Sequence, residues 1–335
     1  MLRRTLVATS LVLVASCGDD GGNPFSGAGA SRPPSADAVL VFVSGSWAEP
    51  PGQARELLAL DATGSKVEQL TRCAQADTPC DFVQVAPTPD RSKVYAIRTS
   101  PAAEAGANTA YYMDLARSAE TMLFTRRRVD SLDCSPDGGF IVYSAVLPQR
   151  NEEELFYSDP KGQQEENVTQ TPDIRERAPR IDPGARTALF EQIDKTGVGR
   201  IYLFRSTAIT SGPATGPALP GTPYVVGADA DPVFSPDSTF AAFRRLTGVG
   251  NGGLGPWDLL TVKLDGTSTP SVLVSGALYR GAPDWGKTGI LYVETDAATS
   301  RSELVRIQPD GTGRTVLRTE DAGHRMGSPR WLPGN

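Results

Sequence analysis

Two stretches of this 335-residue sequence match patterns that could handle phosphate. Gly-Ala-Pro-Asp-Trp-Gly-Lys-Thr at 281–288 fits the phosphate-loop pattern G-x-x-x-x-G-K-[ST]. Such a loop needs a strand before it and a helix N-terminus after it, so that amides and the helix dipole meet the phosphates. Here Gly-Ile-Leu-Tyr-Val-Glu-Thr follows, which is strand material. Lys287 is therefore expected in a hairpin turn, and no nucleotide is expected to bind. Gly-Val-Gly-Asn-Gly-Gly at 248–253 fits G-x-G-x-x-G, but another strand-like run follows, so no helix would receive a pyrophosphate.

Enzyme chemistry finds few other residues. His324 is the single histidine, which excludes a multi-histidine metal site and limits a histidine-based triad to that residue. No G-x-S-x-G occurs. The 39 acidic residues leave room for a carboxylate pair, and the alternative function to hold against a binding role is a carboxylate-based carbohydrate-active propeller enzyme, a glycoside hydrolase or a lyase. No metal and no other cofactor is expected.

The cysteines point to a compartment. The chain opens Met-Leu-Arg-Arg-Thr-Leu-Val-Ala-Thr-Ser-Leu-Val-Leu-Val-Ala-Ser-Cys, a basic start followed by a short apolar run. It is too short to span a bilayer, which takes about 20 apolar residues, and it reads as an export signal over residues 1–16. Leu-Val-Ala-Ser-Cys resembles the bacterial lipobox, and the resemblance implies that Cys17 is acylated and begins the mature protein. Residues 18–37, rich in Gly, Pro, Ser and Asp, would extend the tether that starts at Cys17. Gly18 after the cysteine favours outer-membrane sorting by the rule of enteric bacteria. In an oxidising space, Cys73 and Cys80 around a polar segment are expected to form a disulfide, leaving Cys134 as a thiol in an apolar strand. Loss of Arg3 and Arg4 with the signal takes the net charge from −6 to −8, so nucleic acid is an unsuitable partner. Membrane contact is expected through the lipid alone.

The elements that must position these residues repeat. Val-Gln-Val-Ala-Pro-Thr-Pro-Asp, Ser-Leu-Asp-Cys-Ser-Pro-Asp-Gly, Ala-Pro-Arg-Ile-Asp-Pro-Gly, Asp-Pro-Val-Phe-Ser-Pro-Asp and Ala-Pro-Asp-Trp-Gly-Lys-Thr each pair a short strand with a tight turn. An apolar strand follows each, centred on Tyr95, Tyr143, Phe190, Phe243 or Tyr292. The aromatics recur at 48, 47, 53 and 49 residues, the period of a four-stranded propeller blade. Residues 38–45 supply the same apolar strand around Phe42 without an inner strand, and 327–335 supply an inner strand with nothing after it. Together they complete a sixth blade. The expectation is an all-β, six-bladed propeller over 38–335, closed by pairing of the C-terminal strand with the N-terminal blade.

The Ser-Pro-Asp-Gly turns and the strands around them resemble the WD40-like (PD40) repeat of the TolB family over nearly all of 38–335. The family carries an α/β domain ahead of its propeller, whereas here residues 17–37 precede the ring. The resemblance implies a propeller that binds a partner in the envelope. Aligning the copies places Arg128, Arg175, Asp229, Arg280 and Arg325 just before the inner strands, at one mouth of the channel, with Arg177 and Asp231 close behind. Four arginines among five rim positions of an acidic protein suit an anionic peptide or glycan. The function expected is therefore a lipid-anchored envelope scaffold that binds a protein or glycan at this mouth.

Overall fold

The computed structural model describes residues 31–46, 55–72, 81–99, 108–124, 128–147, 152–205, 229–248, 255–321 and 324–335. Cys17, Cys73 and Cys80 lie outside these, as does most of 248–253. Among the described residues every regular element is a strand.

Six antiparallel sheets follow one another. Blade two runs Asp81–Pro87, Lys93–Thr99, Asn108–Asp114 and Ala119–Met122, from inner strand to outer. Blade three runs Arg128–Cys134, Ile141–Leu147, Glu152–Ser158 and Glu165–Asn167. Blade four has Arg175–Ile181, Thr187–Ile193 and Gly199–Arg205. Its expected outer strand falls in 206–228, outside the described residues. Blade five has Asp229–Phe234, Phe240–Leu246, Trp257–Lys263 and Ser271–Val274. In blade six the inner strand is split into Tyr279–Arg280 and Asp284–Gly286, then come Gly289–Thr295, Ser302–Ile307 and Thr315–Glu320.

Blade one joins the ends of the chain. Its inner strand is His324–Trp331, paired antiparallel with Ala38–Ser46, which in turn pairs with Glu56–Asp61. Leu40 lies opposite Trp331 and Val41 opposite Arg330. The ring closes as the repeat count implied.

The core is six wedges, one between each neighbouring pair of blades. Val41 and Val43 pack with Phe82 and Val85 of blade two, while Leu40 and Phe42 pack with Leu291 and Val293 of blade six. Consecutive residues of one strand thus serve opposite wedges, which is why the second strands are unbroken apolar runs. Phe42, Tyr95, Tyr143, Phe190, Phe243 and Tyr292 are all among the largest fully buried side chains. Their burial fixes each blade at the same depth against its neighbour.

The repeat aspartates have structural work. Asp137 Oδ1 accepts from Ser135 Oγ at 2.6 Å and from Gly139 N at 2.9 Å, and Gly138 sits at φ 72°. That left-handed conformation costs an L side chain energy, so glycine suits it. The nucleotide-like stretch 281–288 is likewise a strand, a turn and a strand, with Lys287 Nζ donating to Gly334 O at 3.2 Å.

Inner strands of a propeller leave one edge toward the channel, and unpaired amides there need acceptors. Side chains from the preceding blade supply them. Ser131 Oγ accepts from Ala178 N at 2.7 Å, Asp133 Oδ2 from Ile181 N at 2.9 Å, and Asp284 Oδ2 from Trp331 N at 2.7 Å. Ser328 Oγ accepts from Val85 N at 3.1 Å, and Gln84 Oε1 accepts from Leu132 N at 3.1 Å. The ring is laced as well as packed.

Candidate functional site

The channel has two unlike ends. At the turn end, each inner strand turns tightly into the next strand. At the loop end, outer strands cross to the next blade and second strands cross to third.

The sequence-derived rim residues stand at the loop end of their strands, but not as free arginines. Arg128 is exposed and donates to Asp130 at 2.9 Å. Arg175, also exposed, donates to Glu153 of blade three at 3.2 Å. Arg177 makes two 3.0 Å bonds to Glu191. Asp229 is buried and takes Arg245 Nε at 2.6 Å and Nη2 at 2.8 Å. Asp231 is held by Arg244, whose guanidinium also lies 4.1 Å over the Trp257 ring. Arg325 is half-buried.

Arg280 departs most from the expectation. It is 2% exposed, pairs with Glu294 at 3.1 Å, and donates to Trp257 O at 2.6 Å and Ser275 O at 3.0 Å. Its guanidinium ties the last connection of blade five to blade six and does not face the mouth. The aligned register gave a position along the strand and no direction for the side chain. An arginine beside a buried glutamate folds inward, because its charge there is both satisfied and desolvated with its partner.

Several partners in this lattice were missed from sequence, among them Glu153, Glu191, Arg244 and Glu294. A signal existed for two of them. Glu191 and Arg244 directly follow the central aromatics Phe190 and Phe243, where the other copies carry Val43, Ala96, Ser144 and Val293. Burial pushes the Glu191 carboxyl up to about 7, against the pull of Arg177. Glu176, fully buried with Oε2 lacking a partner, is also pushed up to about 7 by burial, with Thr171 opposing.

The turn end is sealed from below. The residues just before Pro87, Cys134, Ile181, Phe234, Trp285 and Trp331 are Ala86, Asp133, Arg180, Val233, Asp284 and Arg330. Around the ring they read apolar, acid, base, twice over. Arg330 Nη2 reaches Asp133 Oδ1 at 2.7 Å, Nη1 reaches Asp284 Oδ1 at 3.2 Å, and Nε donates to Val85 O at 3.1 Å. Arg180 Nη1 lies 3.7 Å from Asp284 and 4.0 Å from Asp133. Burial raises both aspartates, each to about 6, with Arg180 the largest opposing influence. Four buried charges that balance to zero close the bore.

Above this floor opens a cavity of about 410 Å³, walled by Trp285, Trp331 and Ile181 and rimmed by the turns. Cys134 is a free, half-buried thiol on the same wall, its Sγ 3.2 Å from Pro87 O. Burial, then Asp133, pushes its ionisation well above the ordinary thiol range, so it is unsuited to act as a nucleophile.

With this geometry in hand, the arrangement of blades matches solved propellers. A TolB from Acinetobacter baumannii superposes with a TM-score of 0.66 at 18% identity, covering 90% of this chain and 68% of that one. The fold is that of a TolB-like propeller. An Agrobacterium tumefaciens structure described as TolB gives 0.61 at 14% identity, over 88% of this chain and 99% of that one. A chain of the nidogen/laminin complex gives 0.63 at 12% identity, over 88% and 98%. No protein-family model and no curated protein matches the sequence. The TolB-like propeller here is thus defined by its ring and seam.

Proposed function

We propose that this TolB-like propeller is a binding scaffold of the bacterial cell envelope, held to the membrane by lipid on Cys17, with a partner docking at the loop end. The observation that carries the binding role is the mixed charge of that mouth. Arg128, Arg175, Arg177 and Asp231 are each matched by an opposite charge across a strand or a blade. A glycosidase needs two carboxylates facing one substrate bond, one of them free to give a proton. Glu191, raised by burial to about 7, is clamped by Arg177, and Glu176, raised as far, is fully buried with its Oε1 taken by Thr171 and Gln192. A lattice of exchangeable ion pairs serves instead to recognise a charged protein or glycan surface, since partner groups can replace exposed halves of pairs.

The exposed guanidiniums of Arg128 and Arg175 are the groups an anionic partner would meet first. Arg280 is not a suitable probe, because its loss would break the blade junction. The test uses the chain from residue 17 with Cys17→Ala, immobilised and exposed to extract of its own envelope. A specific captured partner should be lost in the Arg128→Ala/Arg175→Ala double variant at unchanged melting temperature. Capture that survives the double variant overturns the docking assignment. The anchor is tested apart from this: Cys17→Ala in the cell should abolish fatty-acid labelling, and membrane retention with unchanged mass would overturn it.

A further inference from the structure

Residues 31–37 lie along the outside of blade one before the chain enters Ala38–Ser46, and their far end rests on blade two. Arg32 N donates to Leu70 O at 3.0 Å, and Arg32 Nε donates to Gln69 O at 3.2 Å. The segment thus takes main-chain carbonyls at the end of the short outer strand Val67–Gln69, an edge that would otherwise be bare. Ser35 donates to the Glu68 carboxylate twice, from its amide at 3.2 Å and from its hydroxyl. Glu68 is 4% exposed. Lys66 Nζ lies 3.4 Å from that carboxylate and donates to Asp37 at 3.3 Å.

The far end is held by blade two. Ser31 is buried, its Oγ donating to Leu115 O at 3.2 Å, and Ser118 Oγ donates back to Ser31 O at 3.1 Å. Leu115 and Ser118 belong to the turn between Asn108–Asp114 and Ala119–Met122, at the turn end of the ring. Residues 31–37 form a clasp across the outer side of the blade one–two junction. Ordering them costs conformational entropy, which these bonds must offset.

The clasp decides where the preceding chain departs. Ala38 opens its strand at the turn end, close to the inner strand that Leu40 pairs with. The clasp carries the departure point from there to the outer turn of blade two. Between that point and Cys17 lie residues 17–30, with five glycines among them. A glycine-rich chain of that length spans about 20 Å on average. A strand of blade two such as Asp81–Pro87 is about 23 Å long, so the loop end is farther away than that span. Blades four and five are across the bore.

We propose that the clasp seats the ring on the membrane by one sector, with the turn ends of blades one and two against the lipid surface and the loop end pointing away. Blades four and five are then held off the bilayer, and Arg128 and Arg175 stay open to a partner. The proposal rests on lipid at Cys17 and is independent of what docks at the loop end.

The test attaches a donor fluorophore to one introduced cysteine and reads energy transfer to acceptor-labelled lipid headgroups. The protein is the lipidated chain, taken from its own membranes into phosphatidylethanolamine–phosphatidylglycerol vesicles, with wild type as the labelling background. Ala62→Cys marks the turn end of blade one, Thr269→Cys the turn end of blade five and Asp321→Cys the loop end, all three being exposed positions. Transfer should be strongest from position 62 and at least twofold weaker from 269 and 321. Glu68→Ala/Ser118→Ala opens both halves of the clasp and should bring positions 62 and 269 level while the ring stays folded by circular dichroism. Strongest transfer from 269 or 321 overturns the proposal, as does an order indifferent to the clasp variant.

A second arm separates the clasp from the anchor. The same labels are read on the chain from residue 17 with Cys17→Ala and an N-terminal hexahistidine, held on nickel-chelating vesicles. If the cellular protein takes up no fatty acid but this arm keeps the order, the anchor reading fails and the clasp geometry stands. Loss of the order in this arm overturns the clasp whatever the lipid.

Discussion

The same six inner strands end in two kinds of charge. At the turn end, Asp133, Arg180, Asp284 and Arg330 face one another across the bore, each at most 9% exposed. At the loop end, Arg128 and Arg175 pair with Asp130 and Glu153 but keep their guanidiniums in water. The first arrangement has no solvent to fall back on, so each member depends on the others. In the second the arginines are already in water, and buried Glu153 keeps a bond from Ser144 when Arg175 is lost. Position along a strand, rather than residue type, decides whether an arginine here is structural or exchangeable.

The comparison is most directly broken by substitution at each end. Arg330→Ala leaves Asp133 and Asp284 buried with only Arg180 beside them, and should destabilise by about 3–5 kcal/mol in urea unfolding. Arg175→Ala should cost about 1 kcal/mol or less. Similar losses from the two variants would remove the distinction between the ends.

Acidity sharpens the same contrast. Glu176, Glu191, Asp133 and Asp284 all have raised carboxyl ionisation in the folded state. A raised carboxyl binds its proton more tightly folded than unfolded, so it penalises the fold above its folded value, and the penalty fades as pH falls through that value. Stability should therefore rise as pH drops from 8 toward 6. Asp133 and Asp284 extend that rise below pH 6; only under the ordinary aspartate value of 3.8 do the turn aspartates take over, since Asp137 is held low by Ser135 and Gly139 and its stabilising contribution is lost there. Glu176→Gln should raise the melting temperature at pH 8 and change it little at pH 5. An equal change at both pH values would show that burial of the charge is not the cause.

Smaller effects test the lacing and the turns. Ser131→Ala removes the acceptor of Ala178 N across the blade three–four junction and should cost about 1 kcal/mol or somewhat more. Gly138→Ala forces a side chain into the left-handed region at φ 72° and should cost about 1 kcal/mol. Arg91, Ala185 and Ser238 already sit at φ 60°, 54° and 58° in the corresponding turns, so the ring tolerates that strain at three blades. A loss of several kcal/mol at Gly138 would mean that blade three differs from the rest.

The ring was legible in the sequence because a propeller repeats its constraints. Each blade needs an aromatic at one depth, and four inner turns are closed by an aspartate (Asp90, Asp137, Asp182 and Asp237), so the pattern could be counted even where single copies had drifted. The seam was legible because the two ends lacked complementary strands. Site geometry was not. Spacing gave the height of Arg280 on its strand but could not show that Glu294, on the neighbouring strand, and the carbonyls of 257 and 275 would draw it inward. The bore charges were missed for a different reason. Asp133 and Arg180 look like ordinary alternation within separate strands, and only the register of six strands about one axis brings them together. Reading across copies at the residue before Cys134, Ile181, Trp285 and Trp331 would have shown acid, base, acid, base.

The seam between Ala38–Ser46 and His324–Trp331 also imposes an order in time. During synthesis the strand Ala38–Ser46 emerges with its inner edge bare, and its partner follows only after the other five blades. Blade one is unfinished until those blades are made, so a ribosome stalled in blade five or six releases a ring with a gap. That gap exposes Leu40 and Phe42 together with a row of unpaired amides, the features that mark a chain for aggregation or degradation. Closure of the last strand thus acts as a completeness check, and only a chain read through to Trp331 hides its own beginning.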